Sequence, residues 1–178
     1  MSITNGQTAT AADFITSSAG AGSSGQVPKL NASGKVDKTF PMRWGCRAKQ
    51  TGTTSVTSTY GAIAFAGKDF DDDTMHDNVT NNSRITIKTA GTYLVGACIS
   101  TATGANEGVG VQLRLNGTTI IAYGGGGVSS SWIGGGALTT VRVFAANDYI
   151  EVLAAKNNAA NTSGDEATNF WAILLQST

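Results

Sequence analysis

Residues 85–100 read Ile-Thr-Ile-Lys-Thr-Ala-Gly-Thr-Tyr-Leu-Val-Gly-Ala-Cys-Ile-Ser, and this stretch decides the fold. Ile85 and Ile87 alternate with polar residues before a short Thr-Ala-Gly turn. A second alternating run follows the turn and places four apolar side chains on one face: Tyr93, Val95, Ala97 and Ile99. A period of two is typical of half-buried strands. The stretch therefore predicts a β-hairpin, two strands joined by a tight turn.

A second hairpin is predicted from residues 109–123. Apolar residues occupy every second position from Val109 to Leu115, and the run ends in Asn116-Gly117. Asn-Gly between two alternating runs is the strongest short hairpin signal, because both residues tolerate the positive φ of the turn.

Three further strands follow. Residues 137–144 form one, and a turn at Asn147-Asp148 leads into the next. There Ile150 and Val152 face one way and Tyr149 and Glu151 the other, which predicts an amphipathic strand. Residues 169–176 are apolar on both faces, so this last strand is predicted to be central or to lie at a subunit contact.

About eight strands and no long helix indicate an all-β sandwich or jelly roll. The 23 glycines and only 2 prolines suit the many turns of such a fold. The glycine-rich residues 124–136 are predicted to form a surface loop or a short edge segment.

The charge and the cysteine content of the chain limit the classes of function that it can have. Twelve basic groups balance 12 acidic ones, so the chain lacks the positive field that phosphate binding uses, and nucleic acid is not an expected partner. The N-terminal residues have neither a basic start nor an apolar run, so neither a secretory signal nor a membrane span is expected. Cys46 and Cys98 are predicted to be buried thiols rather than a disulfide.

The chain is predicted to divide into residues 1–41, a flexible arm, and residues 42–178, a head domain. The arm is rich in Ser, Gly, Ala and Thr and carries few large apolar groups. Such a composition cannot bury a core of its own.

Candidate sites are few. Four carboxylates could supply oxygen ligands to a structural calcium ion, but solvated acidity is the favoured explanation because no calcium-loop spacing is present: Asp69, Asp71, Asp72 and Asp73. Trp132, between two glycine runs, is the candidate for ligand contact. Residues predicted to lie in the core or at a trimer contact are Tyr93, Phe170, Trp171 and Leu174. No nucleophile elbow or acid-base set is present, so no catalytic residue is predicted, and no cofactor other than that calcium ion is expected.

Four segments together resemble the globular head of complement component one, subcomponent q, a family related to tumour necrosis factor. They are residues 87–94, 113–117, 143–152 and 169–175, in the order of that family. The resemblance implies a ten-stranded jelly roll that assembles as a compact homotrimer behind an N-terminal stalk. This chain lacks a collagen-like Gly-X-Y stalk and is unusually glycine-rich at residues 124–136, so the vertebrate ligands do not carry over.

Residues 25–40 resemble a short segment found ahead of such heads in structural proteins of tailed bacteriophages. The resemblances imply a non-enzymatic virion protein, made in the host cytoplasm and docked to other virion proteins through residues 1–41. It would serve as a capsid decoration, head fibre or tail appendage with access to host surface glycans. The alternative is a soluble bacterial module that binds a carbohydrate or a protein. A hydrolase on a β scaffold is a third class, for which the sequence offers no residues.

Overall fold

A computed structural model describes residues 14–15, 27–28, 44–102, 107–128 and 133–177. The chain divides into two compact units, Met1–Met42 and Arg43–Thr178. In the first unit, β1 (Phe14–Ile15) and β2 (Val27–Pro28) pair in parallel. The roles assigned to residues 1–41 and 42–178 stay predictions.

The second unit is built from short and long strands. In chain order they are β3 (Trp44–Lys49), β4 (Ser55–Val56), β5 (Gly61–Ala62), β6 (Gly67–Asp71), β7 (Arg84–Thr86), β8 (Gly91–Ala102), β9 (Glu107–Leu115), β10 (Thr119–Val128), β11 (Ile133–Phe144), β12 (Tyr149–Lys156), β13 (Ala160–Asn161) and β14 (Asn169–Ser177). The described residues contain no helix, so none of them forms a helix long and apolar enough to span a bilayer.

Ten of these strands form two five-stranded sheets. Sheet I has the order β10-β9-β12-β5, with β7 also paired to β12, and sheet II has the order β11-β8-β14-β3-β6. All pairings in both sheets are antiparallel. The prediction of an all-β jelly-roll sandwich is confirmed. The count exceeds eight because β5 and β6 are too short or too polar to show an alternating pattern.

The core lies between the two sheets and is filled by the apolar face of each. Sheet I contributes Val111, Leu113 and Ile150, and sheet II contributes Tyr93, Val95 and Phe170, all of them buried. Aromatic rings meet across this interior, with the centroids of Phe65 and Phe170 5.8 Å apart. Such offset contacts add to the free energy gained from apolar burial.

The first predicted hairpin is wrong in its pairing, although its alternation is right. β7 pairs with β12 in sheet I, whereas β8 pairs with β11 and β14 in sheet II. The turn between them therefore crosses from one sheet to the other. Ile85 and Tyr93 are both buried because the two strands face the same interior from opposite sides.

The second predicted hairpin is confirmed. β9 and β10 are antiparallel neighbours, and the turn residues Asn116 and Gly117 have φ values of 50° and 72°. Positive φ at both central positions defines the type I′ turn that suits the twist of a two-stranded ribbon.

The glycine-rich segment is not a loop over most of its length. Residues 124–128 continue β10, and residues 133–136 begin β11. These strands are the edges of sheet I and sheet II, and they lie against each other. A Cβ atom on Gly124 of β10 would stand 2.6 Å from the Cβ atom of Leu138 on β11. Glycine is needed because the two edges approach more closely than a side chain permits.

Candidate functional site

The outward surface of sheet II carries an exposed apolar face. Its members come from three adjacent strands and are Leu94, Val141, Val143, Trp171 and Ile173. Val141 is 57% exposed and Val143 is 61% exposed, which is high for branched apolar side chains. These five residues are called the apolar face below.

Strand register brings the members of the apolar face together. Leu94 on β8 is the register partner of Val141 on β11 and of Ile173 on β14. Three aliphatic side chains therefore stand in one row that runs from the edge strand β11 to the central strand β14. Contiguous exposed apolar side chains of this kind mark a site of association with another molecule.

Glycine allows the largest member of the apolar face to lie flat. Trp171 is the register partner of Gly96, and a Cβ atom on Gly96 would stand 2.7 Å from the indole Cε2 atom. The indole thus covers the backbone of β8 rather than projecting from the sheet. A flat indole widens the apolar surface without raising a ridge on it.

Charged side chains border the apolar face on the side of β3. Lys49 Nζ lies 2.7 Å from Asp69 Oδ1 and 2.5 Å from Glu166 Oε1, and Arg47 also pairs with Asp69. The hydrogen bond from Lys49 lowers the pKa of Glu166 below its ordinary value. An apolar centre with a charged rim is the usual anatomy of a protein interface.

The four carboxylates of the acidic segment, residues 69–73, do not converge on one point. Asp69 faces Arg47 and Lys49, Asp71 Oδ2 lies 2.9 Å from Lys68 Nζ, and Asp73 accepts a hydrogen bond from Thr89. Asp72 is exposed. In the part of the chain that the structure describes, no three His, Cys, Asp or Glu side chains are grouped to hold a metal ion. A calcium ion stays a prediction that this geometry does not favour. The segment is also not wholly a loop, because β6 extends to Asp71.

Asp71 has a structural role. Burial alone would raise the pKa of its carboxyl group, but hydrogen bonds from Lys68 and from the backbone N–H groups of Met75 and His76 outweigh burial and lower it. Its side chain is 3% exposed. The carboxylate therefore holds together the turn that follows β6.

The only histidine lies beneath this turn. His76 is buried, with Nδ1 2.7 Å from the Arg84 carbonyl oxygen and Nε2 2.9 Å from the Phe65 carbonyl oxygen. Beside it a polar cleft of about 560 Å³ opens to solvent and is lined by Lys68, Asp77, Asn78, Arg84 and Lys88. Both ring nitrogens face backbone carbonyls, so His76 links segments of the fold and is not presented as a catalytic base.

Glu151 lies on the face of β12 opposite to Ile150 and Val152, as the alternation predicts, but it is buried. It is 5% exposed, although it points away from the core. Arg84 Nε lies 3.2 Å from its Oε1 atom and Arg114 Nη2 lies 3.1 Å from its Oε2 atom. The two arginines stand on the strands that flank β12, in register with Glu151. The sequence carried no signal for this cluster, because its members are at least 30 residues apart.

The remaining predicted site residues fall into two groups. Tyr93 and Phe170 are buried in the core, and Leu174 packs against it while partly exposed. Burial and then the nearby Asp73 raise the pKa of Tyr93 above its ordinary value. Trp171 belongs to the apolar face. Trp132 lies outside the described residues.

The two cysteines are free thiols, but only one is buried. Burial, and secondarily the charge of Asp71, raises the pKa of Cys46 to about 12. Cys98 is half-buried, which corrects the prediction that both are enclosed. It points outward because it alternates with the core residues Ala97 and Ile99 on β8.

Solved structures with the same fold come from the tumour necrosis factor and complement type of head. The Eiger TNF of S. frugiperda superposes with a TM-score of 0.61 at 10% identity, covering 76% of this chain and 94% of that one. The globular domain of zebrafish complement 1qA gives 0.57 at 12% identity, covering 75% and 98%. Murine APRIL gives 0.58 at 13% identity, covering 75% and 99%.

These likenesses show that the chain has a C1q/TNF-like jelly-roll fold. No protein-family model matches the sequence, and no curated protein matches it significantly. The apolar face was missed at the sequence level for a simple reason. Leu94, Val141 and Ile173 each sit in a recognised strand, but only the order of strands in sheet II makes them neighbours.

Proposed function

We propose that the protein is a non-enzymatic structural protein that assembles as a homotrimer through the apolar face of sheet II. The observation that carries this proposal is the row of Leu94, Val141 and Ile173, in which Val141 is exposed and the other two are half-buried in the single chain. The resemblance to C1q/TNF-like heads supports three as the number of subunits in the assembly. Burial of this face between copies would remove branched apolar side chains from water, which is the main favourable term in association.

The setting we propose is a bacteriophage particle. The support is the likeness of residues 25–40 to segments that precede such heads in tailed-phage structural proteins. Three copies of residues 1–41, each binding weakly, would dock together on other virion proteins and gain avidity. The head would then serve as a capsid decoration, head fibre or tail appendage exposed to host surface glycans. The alternative remains a soluble bacterial module that binds a carbohydrate or a protein.

The association is tested with one charge placed on the apolar face and one placed elsewhere. Val143→Glu puts three carboxylates into the proposed contact, and uncompensated burial costs several kcal/mol per charge. Val79→Glu is the matched control, since Val79 is 85% exposed on the segment between β6 and β7. Sedimentation should give a trimer for the parent and the control and a monomer for Val143→Glu. A monomeric parent, or a trimeric Val143→Glu, would refute the proposal.

The docking role needs a separate experiment. Removing residues 1–41 should leave a folded trimer that no longer joins virus particles during assembly. A truncated protein that still joins them would contradict the role given to the arm.

A further inference from the structure

The polar cleft beside His76 has the size and the lining of a binding site for a small molecule. It opens to solvent between β6, β7 and the segment that joins them, and its volume of about 560 Å³ falls in the usual range for such sites. Hydroxyl and amide groups form much of its wall and come from Thr74, Asn78, Thr80, Asn81 and Thr86. Groups of this kind can each exchange hydrogen bonds with a ligand.

The charged side chains of the wall are three cations, Lys68, Arg84 and Lys88, and one carboxylate, that of Asp77. The carboxylate is already engaged. Its Oδ1 atom accepts hydrogen bonds from the backbone N–H groups of Val79, at 2.8 Å, and Thr80, at 3.0 Å. The cleft therefore favours an anionic ligand over a cationic one.

Both lysines keep N–H groups that no described residue uses. Lys88 is exposed and forms no ion pair within the described part of the chain. Lys68 Nζ lies 2.9 Å from Asp71 Oδ2 and 3.2 Å from the carbonyl oxygen of His76, which engages two of its three N–H groups. Each lysine can thus donate to a ligand without breaking a contact of the fold.

Arg84 is held in place and still has donors to offer. Its Nε atom lies 3.2 Å from Glu151 Oε1, and its Cζ atom lies 4.1 Å from the centre of the Tyr149 ring. Glu151 is shared with Arg114, so it offsets only part of the charge of Arg84. The terminal nitrogens of Arg84 donate to no described residue, and a fixed guanidinium group suits paired hydrogen bonds to a carboxylate.

A buried oxygen atom without a partner lies in the same wall. Asn78 Oδ1 is buried and has no hydrogen-bond partner among the described residues, whereas buried polar atoms are normally paired. Rotation about the Cβ–Cγ bond exchanges this oxygen with the N–H₂ group, so the amide can offer the cleft an acceptor or a donor. A hydroxyl group of a ligand would complete its hydrogen bonding.

The turn that carries part of the wall is held in an unfavourable conformation. Thr74 has a φ of 54°, an outlier for a β-branched residue. Asp71 fixes the turn by accepting hydrogen bonds from the backbone N–H groups of Met75 and His76. Backbone strain persists only where the surroundings impose it, and it clusters at sites that hold ligands. The wall is thus preorganised, which lowers the cost of binding.

We propose that the cleft binds an acidic saccharide. Its carboxylate would pair with Arg84 and Lys88, and its hydroxyl groups would exchange hydrogen bonds with Asn78 and the threonines of the wall. A neutral sugar would gain nothing from the cations, and a bare anion would leave the amide and hydroxyl groups unused. This inference deepens the proposed function and rests on it for the source of the saccharide, a host surface.

The test uses the full chain and two acidic probes, each with a neutral counterpart: 3′-sialyllactose with lactose, and trigalacturonate with maltotriose. Calorimetric titration at about 20 mM salt, with up to about 10 mM probe, detects a dissociation constant on the order of 1 mM. At least one acidic probe should bind more tightly than its counterpart. That binding should weaken at about 200 mM salt, because salt screens exposed charges.

Two variants of the wall and one control locate the binding. Lys88→Gln should weaken it about two- to fivefold, the range for one exposed ion pair. Asn78→Ala should weaken it about two- to tenfold through the loss of one hydrogen bond. Arg142→Gln is the matched control, since it removes the same charge from an exposed residue of β11 outside the cleft, and it should bind as the parent does.

Circular dichroism of each variant confirms folding, and Lys88→Gln alone decides the matter where Asn78→Ala does not fold. The inference is overturned by a lack of binding of both acidic probes, by equal binding of each probe and its counterpart, or by binding that Lys88→Gln weakens no more than Arg142→Gln does. None of the lining residues belongs to the apolar face, so the two proposals fail separately. A trimer that binds no acidic saccharide refutes only this site, and a monomer that binds one refutes only the assembly.

Discussion

The contact between the glycine-rich edges of the two sheets makes a sharp prediction about two adjacent residues. A Cβ atom on Gly126 would overlap the carbonyl oxygen of Gly135 on β11, whereas one on Gly127 would point to open space on the outer surface of sheet I. Gly126→Ala should therefore destabilise the protein, and Gly127→Ala should not.

The magnitude follows from what the new methyl group meets. At residue 126 it meets backbone, which cannot rotate aside, and overpacking of this kind costs about 1–3 kcal/mol. At residue 127 alanine gains about 0.5–1 kcal/mol, because it has fewer unfolded conformations than glycine. The same gain applies at residue 126, so the two variants should differ in free energy of unfolding by the overpacking cost alone, about 1–3 kcal/mol.

Urea unfolding followed by tryptophan fluorescence measures this difference. With a slope of about 2 kcal/mol per molar urea, the midpoint of Gly126→Ala should fall below that of Gly127→Ala by roughly 0.5–1.5 M. All samples must have the same protein concentration, because association shifts apparent stability. Equal midpoints would refute the claim that close approach of β10 and β11 requires glycine at residue 126.

Three further predictions concern buried polar groups. The pKa of Asp71 is lowered from its ordinary 3.8, so its ionised form stabilises the fold above that pH and the contribution disappears as pH falls through the folded-state pKa. Asp71→Asn should cost about 1–3 kcal/mol at pH 7 in urea unfolding, and a difference that persists undiminished at pH 2 would contradict this account. Glu151→Gln places an amide N–H₂ against one of its two arginines and should cost about 1–3 kcal/mol; unchanged stability would mean that the cluster contributes nothing net. Cys46, with a pKa of about 12, should resist maleimide at pH 8 in the folded protein and react once urea unfolds it.

Much of the fold was predictable from local patterns. The alternation at residues 93–99 and 109–115 assigned both strands and their buried faces, and Asn116-Gly117 assigned the turn between β9 and β10. The all-apolar residues 170–175 indicated the central strand β14, which lies between β8 and β3. These signals succeed because side-chain alternation and turn conformation depend only on neighbours along the chain.

The candidate site was much less predictable. Glu151 was predicted to face away from Ile150 and Val152, and it does, but the sequence did not indicate that Arg84 and Arg114 enclose it from the adjoining strands. Residues 124–136 were predicted to form a surface loop or a short edge segment, and residues 124–128 and 133–136 belong to edge strands whose glycines allow the two sheets to approach closely. In both cases the environment of the residue is supplied by segments far away in sequence.

The sequence by itself determined the class of fold, the buried face of each long strand and the position of its tightest turn. Only the tertiary structure decided that β7 and β8 belong to different sheets, that the apolar face is continuous across sheet II, and that Arg84 and Arg114 enclose Glu151. The physical reason is the distance along the chain over which each property is determined. Alternation is imposed residue by residue along one strand, whereas a surface is formed across strands, and its composition depends on the order in which distant segments hydrogen-bond.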